Sequence, residues 1–349
     1  MSKKIKKRLF LGGSAFTAAL SLAALAGSPA FASQSGESDT WSIEAVVGTQ
    51  IHSDYGMDQT RDSSGNLVDV WVDDNHHVVV SYNNGPAYTW TNSATGVAPA
   101  VISTPWGFRV FHTGVDANVY YAGFEVNSNG SLTLGSWQRI PNNVRTTFAP
   151  SVTALPGANQ EQWMLAYTGL DGNVYTQYHQ RLPSMAAPGH FDDAAHIPGA
   201  TSHVAPHITI THVTVNGAYI HDSLFVDYAD TNGRPQIEEQ PYGNPNWNRI
   251  ASGPAASNPG ATPSIEFAGD SEHGIITQTP IDVRSPTVST ATFSYTGGTS
   301  SSTRVGSWQA ESTNRQTYEN PVLSPWANGI YILEPNTNSQ WSWKQLYRR

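Results

Sequence analysis

The chain is 349 residues long, carries 18 Lys and Arg against 27 Asp and Glu for a net charge of −9, and contains no cysteine. That sign excludes a partner held mainly through phosphates, such as nucleic acid, and the missing thiols exclude both a disulfide framework and a lipid-modified cysteine anchor. Few residues are charged, whereas Gly and Pro number 30 and 22 and Trp and Tyr 11 and 15, the profile of a secreted all-β protein long enough to bury its own core.

Residues 1–32 read as an export signal. Lys3, Lys4, Lys6, Lys7 and Arg8 form a positive start, Leu9 to Ala26 an apolar stretch with many small residues, and Ala30-Phe31-Ala32 a small-x-small cleavage site. The stretch suits cleavage better than a permanent anchor, and no second long apolar run follows, so no membrane span is expected after processing. A single domain is expected over 33–349. The signal holds five of the 18 basic residues and no acidic one, which leaves the mature chain at 13 against 27, or −14.

Trp41 to Val47 has the text of a closing strand with no unit before it. A first unit follows, in which Asp73-Asp74-Asn75-His76 joins the β-rich runs Leu67 to Trp71 and Val78 to Tyr82. From there a proline followed two residues on by Val, Ile or Leu recurs five times, at Pro99, Pro150, Pro206, Pro263 and Pro321, spaced 51, 56, 57 and 58 residues apart. Within the units, Phe108 to His112 and Val119 to Tyr121 flank Thr113-Gly114-Val115-Asp116-Ala117-Asn118. Gln162 to Tyr167 and Val174 to Tyr178 flank Thr168-Gly169-Leu170-Asp171-Gly172-Asn173 in the same way. These are hairpins with Asp-containing tight turns. Asp230 to Gly233 and Asn336 to Ser339 repeat them with weaker spelling.

Each unit then closes on an aromatic: Trp90, Trp137, Phe191, Trp247, Trp308 and Trp343, with Gly-Ser-Trp-Gln identical at 135–138 and 306–309. Trp137, Trp247 and Trp308 are expected to wedge between units. Arg181 to His203 reads as a long loop insertion; His203, His207 and His212 read as strand residues. Helical periodicity is nowhere sustained.

Four antiparallel strands per unit at this period predict an all-β fold, a β-propeller of four-stranded blades, six by repeat count at about 53 residues each. Its ring is expected to close when the N-terminal strand completes the C-terminal blade.

The hairpins at 113–120 and 168–175 and the Gly-Ser-Trp closers resemble the blades of secreted tectonin-type and fungal-lectin-like propellers. In size, export signal and lack of cysteine the chain is also similar to the actinobacterial dispase autolysis-inducing protein family. That resemblance implies seven blades, a secreted substrate cross-linked by transglutaminase through glutamines, and action on an extracellular metalloprotease. The first functional expectation is therefore a secreted, non-enzymatic interaction protein, free in the medium or held at the cell wall, with Gln34, Gln340 and Gln345 as cross-linking candidates in terminal or loop text. The alternative is a carbohydrate-binding, lectin-like propeller whose partners are glycans. Trp106 and Trp326, each after a Pro at corresponding places in their units, are the binding candidates.

A glycoside hydrolase ranks third. The hairpin text departs from the sialidase-type Asp box, with its Asp one place later and Tyr for Trp, so Asp116 and Asp171 read as turn residues. Asp69, Asp227, Glu238, Glu239 and Glu266 are available carboxylates, but no spacing pairs any two. His190, Asp192, Asp193 and His196 could hold a metal, yet a solvated loop explains them better and no metal is assigned. Nucleotide-binding and Ser-His-Asp elbow patterns are absent, so no cofactor is expected.

Overall fold

In each hairpin the turn aspartate is spent on its own turn. Asp171 Oδ1 accepts the Asn173 amide at 3.1 Å, and its Oδ2 accepts Asn173 Nδ2 and Tyr175 Oη, both at 2.7 Å. Asp116 repeats the set with Asn118 and Tyr120. Burial opposes ionisation, but together these donors hold both carboxyls below the usual range. The left-handed turn position falls on Gly172 at φ 80° in one hairpin and on Ala117 at φ 63° in the other.

The computed structural model describes residues 40–41, 45–46, 51, 53–157, 159–185, 188–253, 262–267, 270–278, 289–297, 302–310, 322–326, 329–335 and 341–347. Its strands form six antiparallel sheets. Blade 1 contains Met57–Arg61, Leu67–Val72, Val78–Tyr82 and Tyr88–Trp90. Blade 2 contains Ala100–Thr104, Gly107–Thr113 and Val119–Val126, with Leu132–Leu134 and Gln138–Arg139 sharing its outer edge. Blade 3 contains Ser151–Ala154, Glu161–Thr168 and Asn173–Arg181, with His190–Phe191 and Ala195–Thr201 outermost. Blade 4 contains His207–Val215, Ala218–Ala229, Pro235–Pro241 and Asn248–Ser252. Blade 5 contains Ser264–Phe267, Gly274–Gln278 and Ser289–Thr296, with Ser302–Val305 and Gln309–Ala310 outermost. Blade 6 contains Val322–Trp326, Gly329–Pro335 and Trp341–Tyr347. Strands are lettered a to d from the first to the outermost in each blade.

The a strands touch in the order 1, 2, 3, 4, 5, 6, and strand a of blade 6 returns to strand a of blade 1, so the ring is closed around a central channel. Closure comes from the N-terminal chain, as the repeat grammar predicts. Thr40 and Trp41 pair with Tyr347 and Leu346, and Ala45 and Val46 pair with Trp343 and Ser342. The count of six stands; the seventh blade implied by resemblance is absent from the sheets of the described residues.

Pro99, Pro150, Pro206 and Pro263 each stand immediately before an a strand. That strand is a sheet edge facing the channel, where proline, which has no N–H to leave unpaired, marks the entry without cost. Blade faces bury their apolar side chains against the next blade. One cluster joins Val68, Val70, Val78, Val80 and Trp90 of blade 1 to Val101, Val110 and Phe124 of blade 2, and three further clusters join blades 2 to 3, 3 to 4 and 4 to 5. The closing aromatics of blades 1 to 5 are part of this packing, whereas Trp343 lies in the third strand of blade 6 and not in its closing strand, which the N-terminal chain supplies. Trp90 donates Nε1–H to the Gly135 carbonyl at 2.9 Å and lies 5.1 Å from the Trp137 ring, while Trp247 and Trp308 lie against later clusters.

Two expectations are corrected. Residues 181–203 are not one loop insertion, because His190–Phe191 and Ala195–Thr201 form the outer edge of blade 3. The latter strand hides only Ile197 and Ala200 and is interrupted by Pro198 and Gly199, so no period-two pattern betrays it. His203, in turn, is an exposed turn residue and not a strand residue.

Candidate functional site

One end of the propeller carries the a-to-b and c-to-d connections of blades 2, 3 and 4. Around blades 2, 3 and 4 this end gathers aromatic and polar side chains into a strip. It begins in the turn Thr104-Pro105-Trp106-Gly107. Thr104 Oγ1 donates to the Gly107 carbonyl at 2.7 Å and accepts the Trp106 amide at 3.3 Å, with Gly107 at φ 101°. This turn holds Trp106 half-buried, and the guanidinium of Arg181, from the end of strand c in blade 3, lies 5.3 Å from the centre of its ring. Arg181 Nε has no hydrogen-bond partner.

Beneath Trp106 an ion pair ties blade 2 to blade 3. Arg109 Nε and Nη2 donate to Glu161 Oε1 and Oε2 at 2.8 and 2.6 Å, and Nη1 donates to the Phe108 carbonyl. Glu161 is 1% exposed. Gly123 lies opposite Arg109 in the ladder, where a Cβ would come within 2.7 Å of Nη1, so the glycine makes room for the fork.

The strip continues toward blade 4. Gln162 Nε2 donates to Tyr178 Oη at 2.6 Å, and Tyr242 Oη, from the c-to-d loop of blade 4, donates to Gln162 Oε1 at 3.4 Å. Burial, then the neighbouring Tyr242, pushes the Tyr178 phenol up to about 12, so it stays protonated at any physiological pH. Gln160 and Gln180 add an amide pair beside them at 3.1 Å. Tyr242 is 41% exposed.

Trp326 ends strand a of blade 6, the place equivalent to the Trp106 turn, and blade 1 stands between the two blades. Of the glutamines, Gln34 and Gln340 lie outside the described residues. Gln345 lies in Trp341–Tyr347, opposite Tyr331 and with N-terminal segments paired along that strand's other edge.

Four of the five candidate carboxylates are each held by a different partner, and the fifth, Glu266, lines the central channel. Asp69 accepts Gln59 Nε2 at 2.6 Å, Glu238 accepts Arg249 Nε at 2.8 Å, Glu239 accepts the Ser223 hydroxyl, and Asp227 faces His207. His190 contacts Asp192 at 2.8 Å while the His196 ring turns to the Ala200 carbonyl, so that loop set does not converge. Sequence reasoning picked Trp106 from this end and missed Arg109, Glu161 and Arg181. A lone charge inside the apolar run Phe108-Arg109-Val110-Phe111 was the available signal.

The fold and this rim define a six-bladed β-propeller with an aromatic and amide-rich surface between blades. No protein-family model and no curated protein matches the chain. Among solved structures it is similar to AofleA from Arthrobotrys oligospora, with a TM-score of 0.59 at 11% identity over 90% of this chain and 88% of that one. It is also similar to SapL1 lectin, solved with alpha methyl fucoside, with a TM-score of 0.52 at 15% identity over 84% and 95%. The lectin of Aleuria aurantia, a six-bladed propeller with a fucose recognition mode, gives 0.50 at 11% identity over 82% and 90%. At these identities the likeness is one of fold.

Proposed function

We propose that the protein is a secreted, non-enzymatic carbohydrate-binding propeller that engages glycans along the rim of blades 2 to 4. The observation that carries this reading is the juxtaposition of Trp106, capped by Arg181 with its unpartnered Nε, and the Tyr178–Gln162–Tyr242 hydrogen-bonded set. Sugars offer an apolar C–H face to an indole or phenol and hydroxyls to a guanidinium or amide, and this strip supplies both. The lectin folds it resembles, two of them solved or described with fucose, make fucosides the first ligands to test. The negative mature charge and the expected export signal suit an extracellular role, and no helix of the described residues is long and apolar enough to cross a membrane. Action as a transglutaminase substrate on a metalloprotease rests on the sequence resemblance alone.

A glycan array followed by titration calorimetry with the best ligand tests the reading. Trp106→Ala and Arg181→Ala are expected to weaken binding at least tenfold, on the order of 1.4 kcal/mol, with the melting temperature nearly unchanged. An array without a hit, affinity unaffected by both variants, or turnover of the glycan by the protein would overturn it.

A further inference from the structure

The central channel encloses a cavity of about 700 Å³ lined by the a strands, and its charged groups belong to no part of the rim. Near the start of two a strands a side chain reaches across to the next blade. Ser151 Oγ accepts the Ile208 amide at 3.0 Å, and Asp58 Oδ2 does the same for the Val101 amide at 2.7 Å, its Oδ1 taking the Gln59 amide. This position, filled by Asp58, Ala100, Ser151, His207 and Ser264, lines the cavity. Asp58 on blade 1 and His207 on blade 4 therefore face each other across the ring.

Glu266 joins them from blade 5. Its Oε1 accepts the Thr209 hydroxyl at 2.9 Å and the Phe267 amide at 3.0 Å. The residue is only 8% exposed and lines the cavity, and both of its hydrogen bonds among the described residues fall on Oε1, not Oε2. Asp227, fully buried behind His207, contacts Nδ1 at 3.2 Å, and its Oδ2 is unpartnered. Three carboxyls thus face one imidazole; at the mouths of the channel stand Asp54, Arg61 and His203.

From this arrangement we infer that the channel is a binding site for a small organic cation, a protonated alkylamine that places its ammonium on Glu266 Oε2 and spans toward Asp58. An ammonium supplies three donors to the carboxyl oxygens that line the cavity, and it offsets the excess of carboxyl over basic groups there. Burial lifts Glu266 to about 7 and Asp58 to about 6, the state expected of acids waiting for a counter-charge. Binding of the cation favours their ionised forms, so it releases protons near neutral pH and weakens as the pH falls below about 6.

Titration calorimetry of the full chain with 1,4-diaminobutane at pH 8 and low salt tests this, with 1,4-butanediol as the neutral counterpart. The expected result is saturable binding of the diamine alone, at least tenfold weaker in Glu266→Gln and in Asp58→Asn. At pH 6.5 the heat should depend on the ionisation enthalpy of the buffer. Glu266→Gln keeps a carbonyl acceptor for Thr209 and is the decisive variant should Asp58→Asn disturb folding. Absence of saturable heat, equal binding of the diol, or full affinity in a folded Glu266→Gln would overturn the inference.

The burial of Glu266, with its Oε1 held by the Thr209 hydroxyl and the Phe267 amide, also carries an expectation about stability. A carboxyl whose folded pKa lies above its unfolded value stabilises the protein only while protonated. That contribution is complete below about 4.5 and is lost as the pH rises through about 7. Urea denaturation of Glu266→Gln beside the parent should therefore show the variant gaining on the parent between pH 4.5 and pH 8, by a tenfold or greater change in the relative unfolding constant. A constant difference across that range would contradict it.

Discussion

Trp163→Ala is expected to destabilise the protein by about 3–5 kcal/mol, one of the two largest losses any single substitution here should produce. The indole is fully buried at the junction of blades 2 and 3 and is the largest such side chain among the described residues. It meets Phe111 edge-on at 5.0 Å, stacks on His179 at 4.4 Å and is closed from outside by Phe191 at 5.6 Å. Truncation would leave a void walled by rings that cannot collapse, since each is held by its own strand. Because a blade face has no partner but its neighbour, the loss falls on the ring as a whole. Denaturation in urea, followed by tryptophan fluorescence and by circular dichroism, measures it. Trp163→Phe should recover much of the difference, and a loss for Trp163→Ala below about 1 kcal/mol would show that the junction repacks.

Glu161→Ala is the second, also expected at about 3–5 kcal/mol, because it strands the Arg109 guanidinium in a site that is 13% exposed. The guanidinium cannot neutralise itself, so the whole cost of an unpaired buried cation appears in the stability. Replacing both partners with apolar residues, Arg109→Met with Glu161→Leu, should restore most of it, since the pair's desolvation is then never incurred. The same denaturation experiment on the three variants decides the matter. If the double variant is no better than Glu161→Ala, the pair contributes through its geometry and not through charge compensation. Trp163 Nε1 lies 3.4 Å from Glu161 Oε1, so the Trp163 and Glu161 effects should not add.

These two residues also show how a propeller places the side chains of its candidate rim. The a-to-b turn that presents Trp106 is short and held by its own hydrogen bonds, whereas Arg181 comes from the next blade. The angle between blades therefore decides whether the two meet. The Arg109–Glu161 pair and the Trp163 cluster both lie in the packing between blades 2 and 3, so damage to either should reach the proposed glycan binding as well as stability.

The repeat was legible from the linear text because its cause is local. The prolines before four a strands mark edges with no N–H to satisfy, the turn residues Asp73, Asp116, Asp171 and Asp230 close their hairpins with their own side chains, and the closing aromatics of blades 1 to 5 pack against neighbouring blades. Even the joining of the N-terminal strand to the last blade followed, because a closing strand without a blade and a blade without a closing strand are complementary. The outer edge of blade 3 was not legible, since Ala195–Thr201 is buried at only two positions and contains Pro198 and Gly199.

The tertiary structure alone decided the chemistry of the surfaces. Arg109 meets Glu161 across 52 residues, and Asp58, His207 and Glu266 face one cavity from three different blades. Periodicity tells which side of a strand a residue faces, but contacts between blades depend on how neighbouring sheets are turned against one another. That angle is set by the sum of all the packing between them, and no single stretch of sequence encodes it.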